Sequence, residues 1–395
     1  ATRTRQALEP RYVSTVDSGN LAAALLVLRG GLEDVAGRPA LRPEQADGLL
    51  DAARILEGVF RRLGNGADGT EDDGGAGEAV TILERIADRL REVRDDPGGL
   101  ARLLVELDEE VVPRLNRCAA ETGGTVEARI SESPLLDLRI WCRKLRQQVA
   151  HARREVRTFH PWLERGRTVP EALLEDRLGA TSGPARRLER ILAAPPGIVR
   201  LPARTSTALR LVEAIRQAVE EGPRDAAHRG RVLSWASELS DELRGAADAA
   251  RQCAGGLREL GAGAGRRVEE MDFGFLYDQR RHLLHIGYTA DSGVLDPHHY
   301  DLLASEARLA SLVAVSRGQV PPEHWIHLGR PFAPFGTVPA LLSWSGTMFE
   351  YLLPAHFTRS PPRTLLDRSC RAAVERQIRY GRRHAVVSVC ARGPG

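Results

Sequence analysis

Two glutamates are the candidates for acid–base chemistry. Glu306 lies in Tyr300-Asp301-Leu302-Leu303-Ala304-Ser305-Glu306-Ala307-Arg308-Leu309. On a helix it shares the apolar stripe of Leu302, Leu309 and Val313. A carboxylate on an inward face must find partners or stay protonated, because desolvation penalises its charged form. A structural pairing with an arginine and a role as a proton donor are both open to such a residue. Glu350 is the second candidate. Glycoside chemistry normally uses two carboxylic groups flanking the scissile bond, one protonated and one ionised. Thr347-Met348-Phe349-Glu350 also has the spacing of a capping box, with Glu350 reaching back to the Thr347 N–H, and that spacing favours the structural role.

Saccharides are gripped by flat aromatic faces and by polar side chains that read hydroxyls. Trp325, Phe332, Phe335, Trp344 and Tyr351 cluster in a chain whose overall aromatic content is 5%. Each fits a core as well, and for Phe349 the core is the better expectation. Asp17 reads either as an N-cap or as a substrate-facing carboxylate just outside a helix. His298 and His299, expected next to each other on a helix, diverge there and have no acidic partner at ligand-like spacing. No metal and no cofactor are therefore assigned.

The elements that must position these residues are mostly helical. Leu295-Asp296-Pro297 reads as a helix start, with Asp296 as N-cap, and the helix is predicted to reach Arg317 and stop at Gly318. Upstream, Asn20–Leu32 is apolar on most faces, and a second helix is predicted over 42–62. Residues 63–78 read as a polar, flexible break. From about 79 to 260 one charged helical pattern follows another, with breaks at Pro97, Pro161, Ser182-Gly183-Pro184 and Pro195-Pro196-Gly197, as in a bundle of antiparallel helices. Its arginine-rich faces read as solvated surface. The pattern changes at Gly261-Ala262-Gly263-Ala264-Gly265, after which Phe273–Tyr277 and Leu283–Tyr288 read as a β-hairpin. A proline-rich aromatic loop, a helix from about Thr347 and a last helix over 363–380 complete the reading. The class is all-α with a small β-hairpin.

With 56 basic against 53 acidic residues, net +3, the chain lacks the clustered positive charge of a nucleic-acid binder. Five scattered cysteines form no CxxC pair, so reduced thiols and a cytoplasmic setting are the default. No apolar run approaches the ~20 residues needed to span a bilayer.

Four segments appear together and in order: Phe275-Leu276-Tyr277-Asp278, the Asp301–Leu309 stretch, Glu323-His324-Trp325, and Ser343-Trp344-Ser345-Gly346-Thr347-Met348-Phe349-Glu350-Tyr351-Leu352. They resemble the middle, glucoamylase-like region of the cyclic β-1,2-glucan synthases. Pro10-Arg11-Tyr12-Val13-Ser14-Thr15-Val16-Asp17-Ser18-Gly19-Asn20-Leu21 resembles the segment that opens that region. The resemblance covers residues 1–32 and 271–384.

It implies a partial (α/α)6 toroid, with first helices over 1–62, a long helical-bundle insertion over 63–260 and a further toroid segment over 261–384. It implies transglycosylation that closes linear β-1,2-glucan into a ring, with Glu306 as the acid/base. Asp17, Asp301, Arg308, Trp325, Trp344 and Tyr351 would contact the glucan. The other regions of a full synthase, at the cytoplasmic face of the inner membrane, would be its partners. The second carboxylate is expected in a Trp-Gly-Ile-Ser-Glu-Ser segment beyond Tyr380, where this sequence instead runs through Ala385–Gly395 without Glu or Trp. A truncated or frame-shifted end, and a chain inactive by itself, are the expectation. A β-1,2-glucan hydrolase and a non-catalytic helical interaction protein are the alternatives.

Overall fold

The computed structural model describes residues 9–64, 75–126, 132–165, 169–175, 181–222, 226–335 and 338–384. Strand β1 (Tyr12–Ser14) leads into α1 (Thr15–Gly37). Then follow α2 (Pro43–Gly64), α3 (Gly75–Glu92), α4 (Pro97–Glu106), α5 (Val112–Val126), α6 (Glu132–Phe159), α7 (Glu171–Leu174), α8 (Ser182–Ala193), α9 (Leu201–Glu221) and the 44-residue α10 (Ala226–Glu269). The β-containing part comprises β2 (Tyr277–Asp278), β3 (Leu283–Leu284), β4 (Gly287–Thr289) and β5 (Val294–Leu295). After it come α11 (Arg308–Ser316), α12 (Glu323–His327), β6 (Phe332–Phe335), β7 (Val338–Leu341), α13 (Met348–Leu352) and α14 (Leu365–Arg383). The described chain is thus helical with small antiparallel sheets, the class the periodicity predicts. The tail over 385–395 lies outside the described residues.

The chain falls into two compact units, Ala1–Glu33 with Arg258–Gly395, and Asp34–Leu257. In the second unit α2 packs on α3 and α6, and α8 on α9. Its core is a continuous set of Leu, Ile, Val and Ala side chains from Leu41 to Ala254, with Trp162 and Phe60 the largest. The arginine-rich faces are mostly exposed i,i+3 and i,i+4 pairs such as Arg216 with Glu213 and Glu220, which contribute little because water and salt screen them. Arg153, expected on that surface, is instead buried and held by Asp108 and Glu109.

The first unit carries the candidate site. Antiparallel β1, β4 and β5 form one sheet, in which Val13 faces Tyr288 and Tyr288 faces Leu295. β2 pairs with β3, and β6 with β7. One core joins Ala22 of α1, Val268, Phe273 and Leu276 to Ala310, Val313 and Ala314 of α11. A second joins Leu302, Leu303, Leu328, Leu341, Tyr351 and Ala373. Gly19 sets the crossing of α1 and α11, because a Cβ there would lie 2.5 Å from Ala310 Cβ and 2.6 Å from its backbone N and Cα. Leu21, Val27 and Leu28 of α1 remain substantially exposed.

Three local expectations are corrected. The small-residue run 261–265 continues α10 instead of ending it. Gly261 and Gly265 face the Arg29 side chain, so packing overrides their weak helix propensity. No helix begins at Asp296. That side chain turns onto the N–H of His298 (2.9 Å) and its ring, an Asx-type turn, and α11 starts only at Arg308. Asp17 is not the cap of α1, which begins at Thr15, with Ser14 Oγ accepting from the Asp17 N–H at 3.1 Å.

Candidate active site

Glu306 is buried, 5% exposed, as its stripe predicts, but it sits in the turn that enters α11 and not on a helix. Its Oε1 accepts from Asn20 Nδ2 at 2.6 Å, across 286 residues of sequence. Its Oε2 accepts from the hydroxyl of Ser305. Among the described residues no Lys, Arg or His forms an ion pair with it, so the structural Glu–Arg reading does not hold. Asn20 reaches it because Gly19 brings α1 against α11 one residue earlier. A carboxylate so placed is immobilised by neutral donors, and the Ser305 hydroxyl can donate to the ionised group or accept from the protonated one.

Ser305 has φ +49°, the left-handed region that side chains other than glycine rarely adopt. Glu350 holds it there, taking the Ser305 N–H on Oε1 at 3.1 Å. Glu350 also accepts from Ser345 N–H (3.1 Å) and Oγ (2.8 Å), and from Thr347 N–H (3.2 Å) and Oγ (3.2 Å). The capping box on α13 is complete. Burial by itself pushes the Glu350 carboxyl up. The donors from Ser345, Ser343, Ser305 and Thr347 outweigh that and hold it below the usual carboxylate range. Glu350 is an ionised, buried residue, and its partners are structural.

Around Glu306 lies a polar and aromatic wall. Tyr300 is partly buried and tilts against Trp344, ring centroids 5.6 Å apart. Desolvation raises the Tyr300 phenol, and the negative fields of Tyr12, Asp17, Glu306 and Asp296 raise it further, so it remains a hydrogen-bond donor. The Trp344 indole donates to Asp301 Oδ2 at 2.9 Å and is 54% exposed. Gly329 makes room for Asp301, since a Cβ there would lie 2.2 Å from Oδ1. Asp17, in the first turn of α1, is exposed and close enough to act on Tyr300. Asp17, Asp301, Trp344 and Glu306 are therefore brought together.

The structure does not bring the others there. Arg308 is 5% exposed and gives both terminal nitrogens to the carbonyls of Glu350 (2.7 Å) and Tyr351 (2.8 Å). Tyr351 is 3% exposed, and its hydroxyl donates to the Leu341 carbonyl at 2.8 Å. Trp325 packs on the core of Leu302 and Leu328. Arg308 and Tyr351 are framework, and Trp325 is half-buried against that core. Phe349, expected in the core, is 52% exposed, and the Phe335 side chain lies outside what is described.

Sequence reading missed Asn20, Ser305 and Tyr300. Each stands inside a quoted motif, but only the long-range contacts give it a role. It also misplaced His298 and His299, which lie in extended chain before Tyr300. His299 stands 3.4 Å from an acidic group, Asp278. Among the described residues no helix is long and apolar enough to cross a membrane.

No family model matches the chain. The chain is 29% identical over 383 residues to the cyclic β-(1,2)-glucan synthase NdvB of Rhizobium meliloti. The match takes in 97% of this chain, which spans about a tenth of NdvB's length. The resemblance drawn from the short motifs thus extends over nearly the whole sequence, helical middle included.

Proposed function

We propose that this chain is a segment of an enzyme that rearranges β-1,2-glucan, and that Glu306 is its acid/base. The observation that carries this is the Glu306 carboxylate, buried and fixed between Asn20 and Ser305 without a cation. Beside it, Tyr300 and the exposed Trp344 offer a platform for a pyranose face. In this reading Glu306 protonates the glycosidic oxygen as the bond breaks. A second carboxylate would take up the freed anomeric carbon; Glu306 then removes the proton from the hydroxyl at the glucan's own far end, whose oxygen displaces that carboxylate and closes the ring. Asp17, Asp301 and Tyr300 would hydrogen-bond sugar hydroxyls. A partner carboxylate would come from another part of an (α/α)6 toroid, since Glu350 is spent on the α13 cap.

The similarity to a glucan synthase favours ring closure over hydrolysis, in which water would replace the hydroxyl. The first test is calorimetric titration of linear β-1,2-glucan into the chain. Trp344→Ala should weaken binding about tenfold through loss of stacking, and Glu306→Gln should leave it within about twofold. Glucan-independent behaviour of wild type and Trp344→Ala alike would favour the interaction-protein alternative.

A further inference from the structure

His299 is the least explained group in the first unit. Its side chain is 6% exposed, yet neither ring nitrogen makes a hydrogen bond with the protein, an arrangement that folded chains avoid unless the group has another task. Nε2 lies 3.4 Å from Asp278 Oδ2, outside hydrogen-bond geometry. The ring lies 4.5 Å from that of His285, across the antiparallel bridge that joins the two residues.

Both neighbours are already oriented. Asp278 Oδ1 accepts from the N–H groups of Arg280 (2.8 Å) and Arg281 (3.2 Å), which leaves Oδ2 free toward His299. His285 Nδ1 meets the Asp296 carbonyl at 2.5 Å. The carbonyl can only accept, so Nδ1 carries the proton and Nε2 keeps its lone pair. This is the outer hydrogen bond that a metal-ligating imidazole usually makes. One ligand atom from each of Asp278, His285 and His299 lies within 4.8 Å of the other two.

We propose that Asp278, His285 and His299 form a site for a divalent transition cation of the Zn2+ type. Two imidazoles and one carboxylate suit such an ion, and they do not suit Ca2+ or Mg2+, which take oxygen ligands. Ligands about 2.0–2.2 Å from a tetrahedral ion stand roughly 3.3–3.6 Å apart, and the 3.4 Å between Asp278 and His299 already matches. The remaining position would hold water. The site ties the β2–β3 hairpin to the residue just before Tyr300 and Asp301. The inference rests on this geometry and not on the glucan reading.

The test uses the full chain, stripped with a chelator and titrated with Zn2+ against a chromophoric competitor. Co2+ is added in parallel as a spectroscopic probe. Wild type should take up one equivalent and give the intense visible bands of four-coordinate Co2+. His299→Ala and Asp278→Asn should each weaken binding at least about a hundredfold, more than loss of an outer hydrogen-bond partner does. His327→Ala, which removes a different imidazole, stacked on His282, should bind as wild type does. Circular dichroism checks folding, and if His299→Ala unfolds, the isosteric Asp278→Asn decides. Absence of saturable uptake by wild type, or uptake unchanged in a folded Asp278→Asn, would overturn the site.

Discussion

The Ser305 N–H donates to Glu350 Oε1 at 3.1 Å, across 45 residues of sequence, while the Ser305 hydroxyl donates to Glu306. One serine in a left-handed conformation thus links the two glutamates, and it gives them opposite characters. Glu350 is surrounded by donors and anchors the turn. Glu306 has two neutral partners and faces the aromatic wall.

Loss of the Glu350 carboxylate should therefore reach beyond the α13 cap. Glu350→Ala takes the acceptor from the N–H groups of Ser305, which is half-buried, and of Ser345 and Thr347 at the surface, and each such bond contributes about 0.5–1.5 kcal/mol. A destabilisation of about 2–4 kcal/mol in urea unfolding is expected, with Glu350→Gln in between. The pH dependence has a definite sign. The folded-state pKa of Glu350 is depressed below its ordinary 4.5. Its contribution is complete above that value and is lost as pH falls below it. Glu350→Gln should flatten that acid limb, and an unchanged limb would show that the carboxylate is not the anchor.

Ser305→Gly separates strain from chemistry. Glycine accepts φ +49° without the ~1–2 kcal/mol that a side chain costs there. The variant should be at least as stable as wild type by thermal melting. Placed in NdvB in exchange for the stretch that this chain matches, it should nonetheless turn over glucan on the order of tenfold to a hundredfold more slowly, because Glu306 loses the hydroxyl that orients it. A variant both stable and fully active would make Ser305 a turn residue only.

Gly19→Ala tests the crossing that delivers Asn20. The new methyl meets Ala310 side chain and backbone equally, so overpacking of about 1–3 kcal/mol is expected. Adding Ala310→Gly should not restore the melting temperature, since the backbone atoms remain. Full rescue by that second change would mean the contact is between side chains alone.

The sequence reveals what is encoded locally. The Thr347/Glu350 cap is a four-residue pattern and reads directly. The burial of Glu306 is legible from Leu302, Leu309 and Val313, but its element is not. The Leu302 N–H is taken by the Gly329 carbonyl at 3.1 Å, a distant contact that replaces the helical bond the stripe suggests. Asp296, in an Asp-Pro pair, serves a turn as well as it would serve a helix cap. Asn20 and Tyr300 gain meaning only when residues some 280 positions apart meet. Arg308 and Tyr351 carry the right chemistry for sugar binding, and only burial assigns them to the framework.

The most direct measurement is ring formation by a chimera in which this chain replaces the stretch of NdvB that it matches. Linear β-1,2-glucan is supplied and cyclic products are followed by mass spectrometry. Relative to the unsubstituted chimera, Glu306→Gln should lower the rate by about a hundredfold to ten-thousandfold, the usual contribution of a positioned acid/base. Its melting temperature should be unchanged, because the amide retains the contacts to Asn20 and Ser305. Rings formed by Glu306→Gln at the rate of the unsubstituted chimera would contradict the assignment of Glu306 as the acid/base.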